Sequence, residues 1–434
     1  MLSSLLILLL QAEPTTLDGW LARARERYVN GYSAESIAAW TRAIEINKDR
    51  AESYAGRARA RRQGNDPAGA IEDVNKAIQL SPEVARYYVD RGIVWERRGN
   101  PSNAKDDYEK ALSLEPDNAA ALYQRAMLKR RQNRHKEAEE DLMRAAGAPE
   151  DGRSVLWRAY AKMALGNLVA QEDKSDGPDA PVQGSLTGAT IEWVKGALED
   201  FNAVLEKETD NGLLFAERAS VLISLGKFAE AEKDLRRSIE LASRQAKTHF
   251  ELGRLMEYTG RPKDALPSFA KAVELDPKYG SAYFGRANAR RKLGDAKGAI
   301  TDLNKTLELN GKWTSAYFNR AMAKTDLKDW QGALSDFNKV TDLDDGKLVM
   351  AAICNKGWCR RSLGDEPGAK KEYTKAAGMP AETAWQLQYR SGAKENIGDL
   401  KGALADLQAA LEKSAEGSSE RAGIEKQLER LRKK

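Results

Sequence analysis

Apolar and small residues return along most of this chain at the three- and four-residue spacing of amphipathic helices, in short stretches separated by polar turns. Residues 316–337, AYFNRAMAKTDLKDWQGALSDF, are representative. Tyr317 and Ala321 begin one stripe, and Ala333 and Phe337 lie on a second. The spacing predicts two helices joined by a tight turn. The pair then repeats: Ala43, Ala77, Ala111 and Ala145 follow at intervals of 34, as do Val204, Ser238, Ala272, Thr306 and Val340. Ala376 follows after 36 and Ala410 after a further 34. Eleven units can be laid out, beginning near residues 17, 51, 85, 119, 152, 212, 246, 280, 314, 350 and 384.

Each position within the unit has its own chemistry. The eighth is always small, from Ala24 and Ala58 to Gly357 and Ser391, and the twentieth is alanine in ten units, Ser36 being the exception. Small residues there let two helices approach closely, while Tyr54, Tyr88, Phe215, Tyr283 and Tyr317 at position four fill the seam around them. Tyr108, Phe201, Phe269, Phe337 and Tyr373 at position twenty-four do the same. Position fifteen is glycine in eight units and asparagine in two (Asn65, Asn133), the residues that tolerate the left-handed end of a helix. Arginine at position seven recurs with aspartate at twenty-three: Arg57/Asp73, Arg91/Asp107, Arg125/Asp141, Arg218/Asp234, Arg286/Asp302, Arg320/Asp336 and Arg390/Asp406. Arg158/Asp200 joins them across an insertion, and Lys356/Glu372 preserves the charges. Both positions lie on the faces that the two helices turn toward each other, so the pairs read as struts fixing helix register rather than as active sites.

Small at eight, alanine at twenty, aromatic at twenty-four and proline at thirty-two (Pro82, Pro116, Pro277), at a period of 34, resembles the tetratricopeptide repeat family over roughly residues 17–416. Two features depart from it: position seven is mostly arginine where the family usually has leucine, and the final proline is often missing. The resemblance implies an all-α fold, an α-α superhelix of antiparallel helix pairs with the first helices lining a concave groove. On this reading 17–167 holds units 1–4 and the first helix of unit 5, and 168–193 is an inserted Gly/Pro/Asp/Ser-rich loop. Residues 194–416 hold the second helix of unit 5 and units 6–11. Residues 417–434 form a capping helix with Ile424, Leu428 and Leu431 on one face.

Composition narrows the function. Seventy basic and 65 acidic residues, interspersed, are too balanced to point to nucleic acid or an anionic membrane as the main partner. Cys354 and Cys359, five apart, would face about 140° apart on a helix and cannot bridge each other. His135 and His249 have no ligand-spaced partners, and there is no phosphate loop or nucleophile elbow, so no metal, cofactor or enzymatic activity is expected. The apolar run in MLSSLLILLLQAEPTT is too short to span a bilayer and reads as a short secretory signal, 1–12, cleaved after Ala12. Export to a periplasm or the medium would follow; without such a signal the chain would be cytoplasmic.

Family resemblance places groove-facing residues at positions two, five, nine, twelve and thirteen of each first helix. Units one to four then offer Arg25, Arg59, Arg62, Arg86, Arg97, Arg130 and Arg131. Units seven to ten offer Phe250, Arg254, Tyr258, Phe284, Asn288, Arg291, Lys292, Phe318, Met322, Trp358 and Arg361, with Phe250, Phe284 and Phe318 one repeat apart. Cys354 and Trp385 share the groove frame but read as packing residues. Such a surface suits an extended peptide or partner protein with apolar and acidic groups, and no small-molecule substrate. The family's two-carboxylate clamp is incomplete here: Asn288 and Asn319 fit, but Phe284 and Ala351 stand where it needs other residues. The alternatives are an architectural spacer in an envelope-associated complex and a single-stranded RNA binder. The second would need a polar pair at base-reading positions where position five carries Phe, Val, Ala, Leu and Cys.

Overall fold

The turn chemistry sets the helix boundaries. At position fifteen the backbone has positive φ, 85° at Gly294 and 90° at Gly398, with Asn65 at 63° and Asn133 at 60° taking the same conformation. One residue later an aspartate caps the second helix: the carboxylates of Asp66, Asp295, Asp365 and Asp399 accept from the N–H groups of Gly69, Gly298, Gly368 and Gly402. Lys328 stands at position fifteen with φ 61°, a strained place for a side chain with a Cβ.

The computed structural model describes residues 13–149, 154–172, 188–343, 346, 348–415 and 419–433, so the expected signal at 1–12 lies outside the described residues. Among the described residues are 23 helices and no strand. They begin with the pairs α1 (Leu17–Val29) and α2 (Ser33–Ile46), α3 (Ala51–Gln63) and α4 (Pro67–Leu80), and α5 (Ala85–Arg97) and α6 (Pro101–Leu114). Next come α7 (Ala119–Arg131) and α8 (His135–Ala146), α9 (Ser154–Glu172) and α10 (Gly188–Leu205), and α11 (Gly212–Ser224) and α12 (Phe228–Leu241). Then follow α13 (Ala246–Tyr258) and α14 (Pro262–Leu275), α15 (Gly280–Lys292) and α16 (Ala296–Leu309), and α17 (Thr314–Asp326) and α18 (Trp330–Leu343). The last pairs are α19 (Val349–Ser362) and α20 (Glu366–Ala377), and α21 (Ala384–Asn396) and α22 (Leu400–Lys413), followed by the single α23 (Ser419–Arg432).

The insertion in unit five is shorter than the expected loop of 168–193. Residues 168–172 are helical, as are 188–193, and 173–187 lie outside the described residues. Gly166 stands at position fifteen, yet α9 runs through it. No second helix begins two residues later to compete, and NLVAQE (167–172) is compatible with continued helix.

The described residues divide into two compact units, one up to Thr248 and the other from His249 on. The boundary thus falls between Thr248 and His249, not at the insertion. Both helices flanking the insertion belong to the first unit, where Tyr160 of α9 meets Phe201 of α10 edge-on at 5.7 Å.

Within each pair the small and large positions interlock. A Cβ on Gly92 would lie 2.5 Å from the Tyr108 ring, on Gly253 2.8 Å from Phe269, and on Gly357 2.7 Å from Tyr373. Glycine at position eight therefore makes room for the ring at twenty-four. The rings of Tyr108, Phe201, Phe269 and Phe337 are fully buried. At the end of the array Ile424, Leu428 and Leu431 of α23 are buried with Leu387 and Leu407.

The Arg–Asp pairs form forked hydrogen bonds. Arg320 Nε and Nη2 donate to Asp336 Oδ2 and Oδ1 at 2.9 and 2.6 Å, and the same fork recurs at Arg57, Arg91, Arg125, Arg218, Arg286 and Arg390. Arg158 also bonds Asp200 in this way, its Nε shared between the two carboxylate oxygens. The ring at position four lies beneath the guanidinium, Tyr317 at 5.4 Å from Arg320 and Phe215 at 5.5 Å from Arg218. The third guanidinium arm reaches the preceding repeat: Nη1 of Arg91 donates to Asn75, of Arg218 to Asn202 and of Arg320 to Asn304. These three struts therefore tie two repeats as well as two helices.

A second cation, at position eleven, completes most struts. Arg61, Lys129, Arg290, Lys324 and Lys394 lie 3.0, 2.7, 2.9, 2.7 and 2.9 Å from the same aspartates. Trp95 and Leu222 occupy position eleven beside Asp107 and Asp234, which keep one cation each.

Candidate functional site

The first helices present the residues that face away from their own second helices. In the second unit the three position-five phenylalanines are half-buried. Phe250 lies 5.0 Å from Tyr279 and 5.9 Å from Phe269, Phe284 stacks on Trp313 at 5.1 Å, and Phe318 meets Phe337 edge-on at 5.6 Å. Each ring is held by a neighbouring ring, so these positions serve packing with part of their surface. Met322 is half-buried beside Ala321 and Phe337.

The polar candidates pair with one another or across repeats. Arg254 is exposed, covers Phe250 at 5.7 Å and meets Glu251 at 3.1 Å. Asn319 Nδ2 donates to Asn288 Oδ1 at 2.8 Å, and Arg291 pairs with Asp326 at 3.5 Å. Tyr258 at the end of α13 is exposed.

Ties of this kind recur where positions twelve and thirteen of adjacent first helices meet. Lys292 reaches Glu257 at 3.0 Å, Arg430 reaches Glu395 at 2.5 Å, Arg361 donates to Asn396 at 2.5 Å, and Arg131 bonds Glu96. Much of the basic charge read from the sequence is therefore neutralised by the neighbouring repeat.

Trp358 is different. Its indole is 43% exposed and sits edge-on to Trp330 at 5.0 Å. It borders a groove of about 490 Å³ lined by Asn355, Trp358 and Arg361 of α19, Trp385, Gln388, Tyr389 and Asn396 of α21, and Gln427 of α23. Trp385 and Tyr389 pack edge-on at 4.7 Å. Exposed aromatic faces beside amide and guanidinium groups can take apolar side chains while hydrogen-bonding an extended backbone. Cys354 also lines the groove; burial pushes its thiol up to about 12, and that of Cys359 up to about 11, so neither is a ready nucleophile. Of the sequence candidates, the groove gathers Trp358 with Arg361, Cys354 and Trp385, and leaves Phe250, Phe284, Phe318 and Met322 elsewhere along the unit. Gln388, at position five, was within reach of the repeat frame.

In the first unit Arg25 pairs with Glu52 at 2.7 Å and Arg59 approaches Asp90 at 3.7 Å. Among the described residues no carboxylate lies within ion-pair distance of Arg62, Arg97 or Arg130. Arg97 Nη1 donates to the Arg62 carbonyl at 2.8 Å, and burial together with the Arg62 charge lowers its basicity. An aromatic trio that the sequence reading did not single out accompanies them: Tyr123, Trp157 and Tyr160, with ring centroids 5.6–5.9 Å apart. The repeat frame reaches this trio, for Tyr123 is at position five and Tyr160 at nine.

Among the described residues no group of three or more His, Cys, Asp or Glu side chains could hold a metal ion, and no helix is long and apolar enough to cross a membrane.

One tetratricopeptide repeat model matches residues 21–85, 216–280 and 250–312, and two others match 85–118 and 107–140, together half of the chain. The chain belongs to the tetratricopeptide repeat family. Membership suggests a protein–protein interaction scaffold. No curated protein matches the chain. Solved structures that resemble it include a tetratricopeptide repeat protein from Parabacteroides merdae, 15% identical over 63% of this chain and 98% of that one, with a TM-score of 0.48. Yeast Tom70 is 15% identical over 96% of this chain and 95% of its own, with a TM-score of 0.46. YrrB, a tetratricopeptide repeat protein with an unusual peptide-binding site, is 22% identical over 49% of this chain and 99% of its own, with a TM-score of 0.39.

Proposed function

We propose that this tetratricopeptide repeat protein is a non-enzymatic adaptor that holds an extended segment of a partner protein against the first helices of its last repeats. The observation that carries the reading is the open groove at Trp358, where a large indole face stays exposed in a family built to bury its aromatics. Trp358, Trp385 and Tyr389 would receive apolar side chains, and Arg361 an acidic group. The test is a peptide library selected on the whole protein: wild type enriches an apolar–acidic consensus that Trp358→Ala does not retain, while Leu293→Ala, on a distant turn, does. Enrichment that is indifferent to Trp358 would refute the reading.

Export is part of the same proposal, supported by the apolar run from Leu5 to Leu10 ahead of Ala12. Its check is the N-terminus of the native protein in fractionated cells. An uncleaved cytosolic chain would remove it.

A further inference from the structure

The first unit touches itself across six repeats. The turn that joins α1 to α2 meets the connection between α12 and α13, about two hundred residues later in the sequence. A Cβ on Gly31 would lie 3.2 Å from Gln245 Cγ. The Arg244 guanidinium lies over the Tyr32 ring at 5.5 Å and 3.7 Å from Glu35 Oε1. Arg27 covers the same ring at 5.4 Å, so Tyr32 is shared by one cation from each side of the contact.

The contact is built differently from the interfaces between successive helices. Those bury alanines, aromatic rings and forked ion pairs. This one rests on an exposed ion pair, Arg244 being 65% and Glu35 47% exposed, which contributes little in water. It also buries two amide atoms without hydrogen-bond partners, Asn30 Oδ1 and Gln245 Nε2, which opposes closure. An interface with small gains and a built-in cost lies close to balance between closed and open.

We propose that this contact is a latch, which closes the first unit on its own first-helix face and opens to expose it. That face carries the Arg62–Arg97 pair and the Tyr123–Trp157–Tyr160 trio. Burial pushes the Tyr160 hydroxyl well above its usual range, with Glu217, Tyr123 and, from the opposite end of the unit, Tyr28 adding to it. The latch belongs to the first unit and the groove at Trp358 to the second, and the latch's test needs no partner.

Nitroxides at Ala34→Cys and Glu240→Cys, both on exposed helix positions, report the gap in the full chain after Cys354→Ala and Cys359→Ala remove the native thiols. The expected result is one short-distance population, which Arg244→Glu shifts to longer, broader distances and which Glu35→Arg added to Arg244→Glu restores. Hydroxyl-radical footprinting of the label-free proteins should show Tyr160 oxidised several-fold faster in Arg244→Glu. Retained thermal unfolding of that variant excludes general loss of fold, and rescue by the charge swap does so independently. A long-distance population in the parent, or distances and Tyr160 oxidation unmoved by Arg244→Glu, would overturn the latch.

Discussion

Asp107 and Asp141 occupy the same place in successive repeats and titrate in opposite directions. Burial raises both. At Asp141 hydrogen bonds from Arg125 and Lys129 outweigh it and hold the carboxyl below its usual range; at Asp107 the single Arg91 fork does not, and the carboxyl stays raised. The stability Asp141 contributes is thus present above the unfolded carboxyl pKa of about 4 and lost as pH falls through its lower folded value. Asp107 has the reverse sign, its contribution being lost as pH rises through its raised folded value. Arg91→Ala should therefore cost about 3–5 kcal/mol in urea unfolding at neutral pH, because it strands a buried charge, and the deficit should shrink on acidification as Asp107 protonates. Arg125→Ala should cost less, since Lys129 stays on Asp141. Equal losses, both insensitive to pH, would count against this account. A second residue stores strain instead of charge: Lys328→Gly, at φ 61°, should stabilise by about 1 kcal/mol, measured as a shift in urea midpoint.

At the scale of the element, the repeat made most of the architecture legible. A position filled by one residue type in eight or more of the eleven units announces its role, and so the seam alanines, the turn glycines and the Arg–Asp forks could all be read by counting. Position eleven escaped because it varies among Arg, Lys, Trp, Leu and Met, and only the fold brings Lys324 back onto Asp336. The ties at positions twelve and thirteen escaped because their charge order reverses, Lys292 to Glu257 but Arg291 to Asp326. The ends of the insertion were misplaced because glycine at 166 permits a turn without compelling one. Frame alone also could not separate rings that pack, such as Phe284 on Trp313, from a ring left open, such as Trp358. The capping helix offers a direct check. Ile424 is fully buried, so Ile424→Ala should cost about 2–5 kcal/mol and speed amide exchange first in α21 and α22.

For the whole molecule, the two units place different chemistry on first helices of the same design. The first carries unneutralised guanidinium groups beside an aromatic trio, and the second carries an open groove whose basic lining residue, Arg361, is tied to Asn396 of the next repeat. A repeat array gains its stability from contacts between neighbours, which leaves the first-helix face free to vary without loss of fold. The central claim is that the groove at Trp358 holds an extended partner segment. Its most direct test is the affinity of one library-selected peptide for wild type and for Trp358→Ala, measured by calorimetry at equal helical content. The account predicts a loss of at least about thirty-fold, near 2 kcal/mol, as expected for a central aromatic anchor. Equal affinity of the two proteins for that peptide would contradict it.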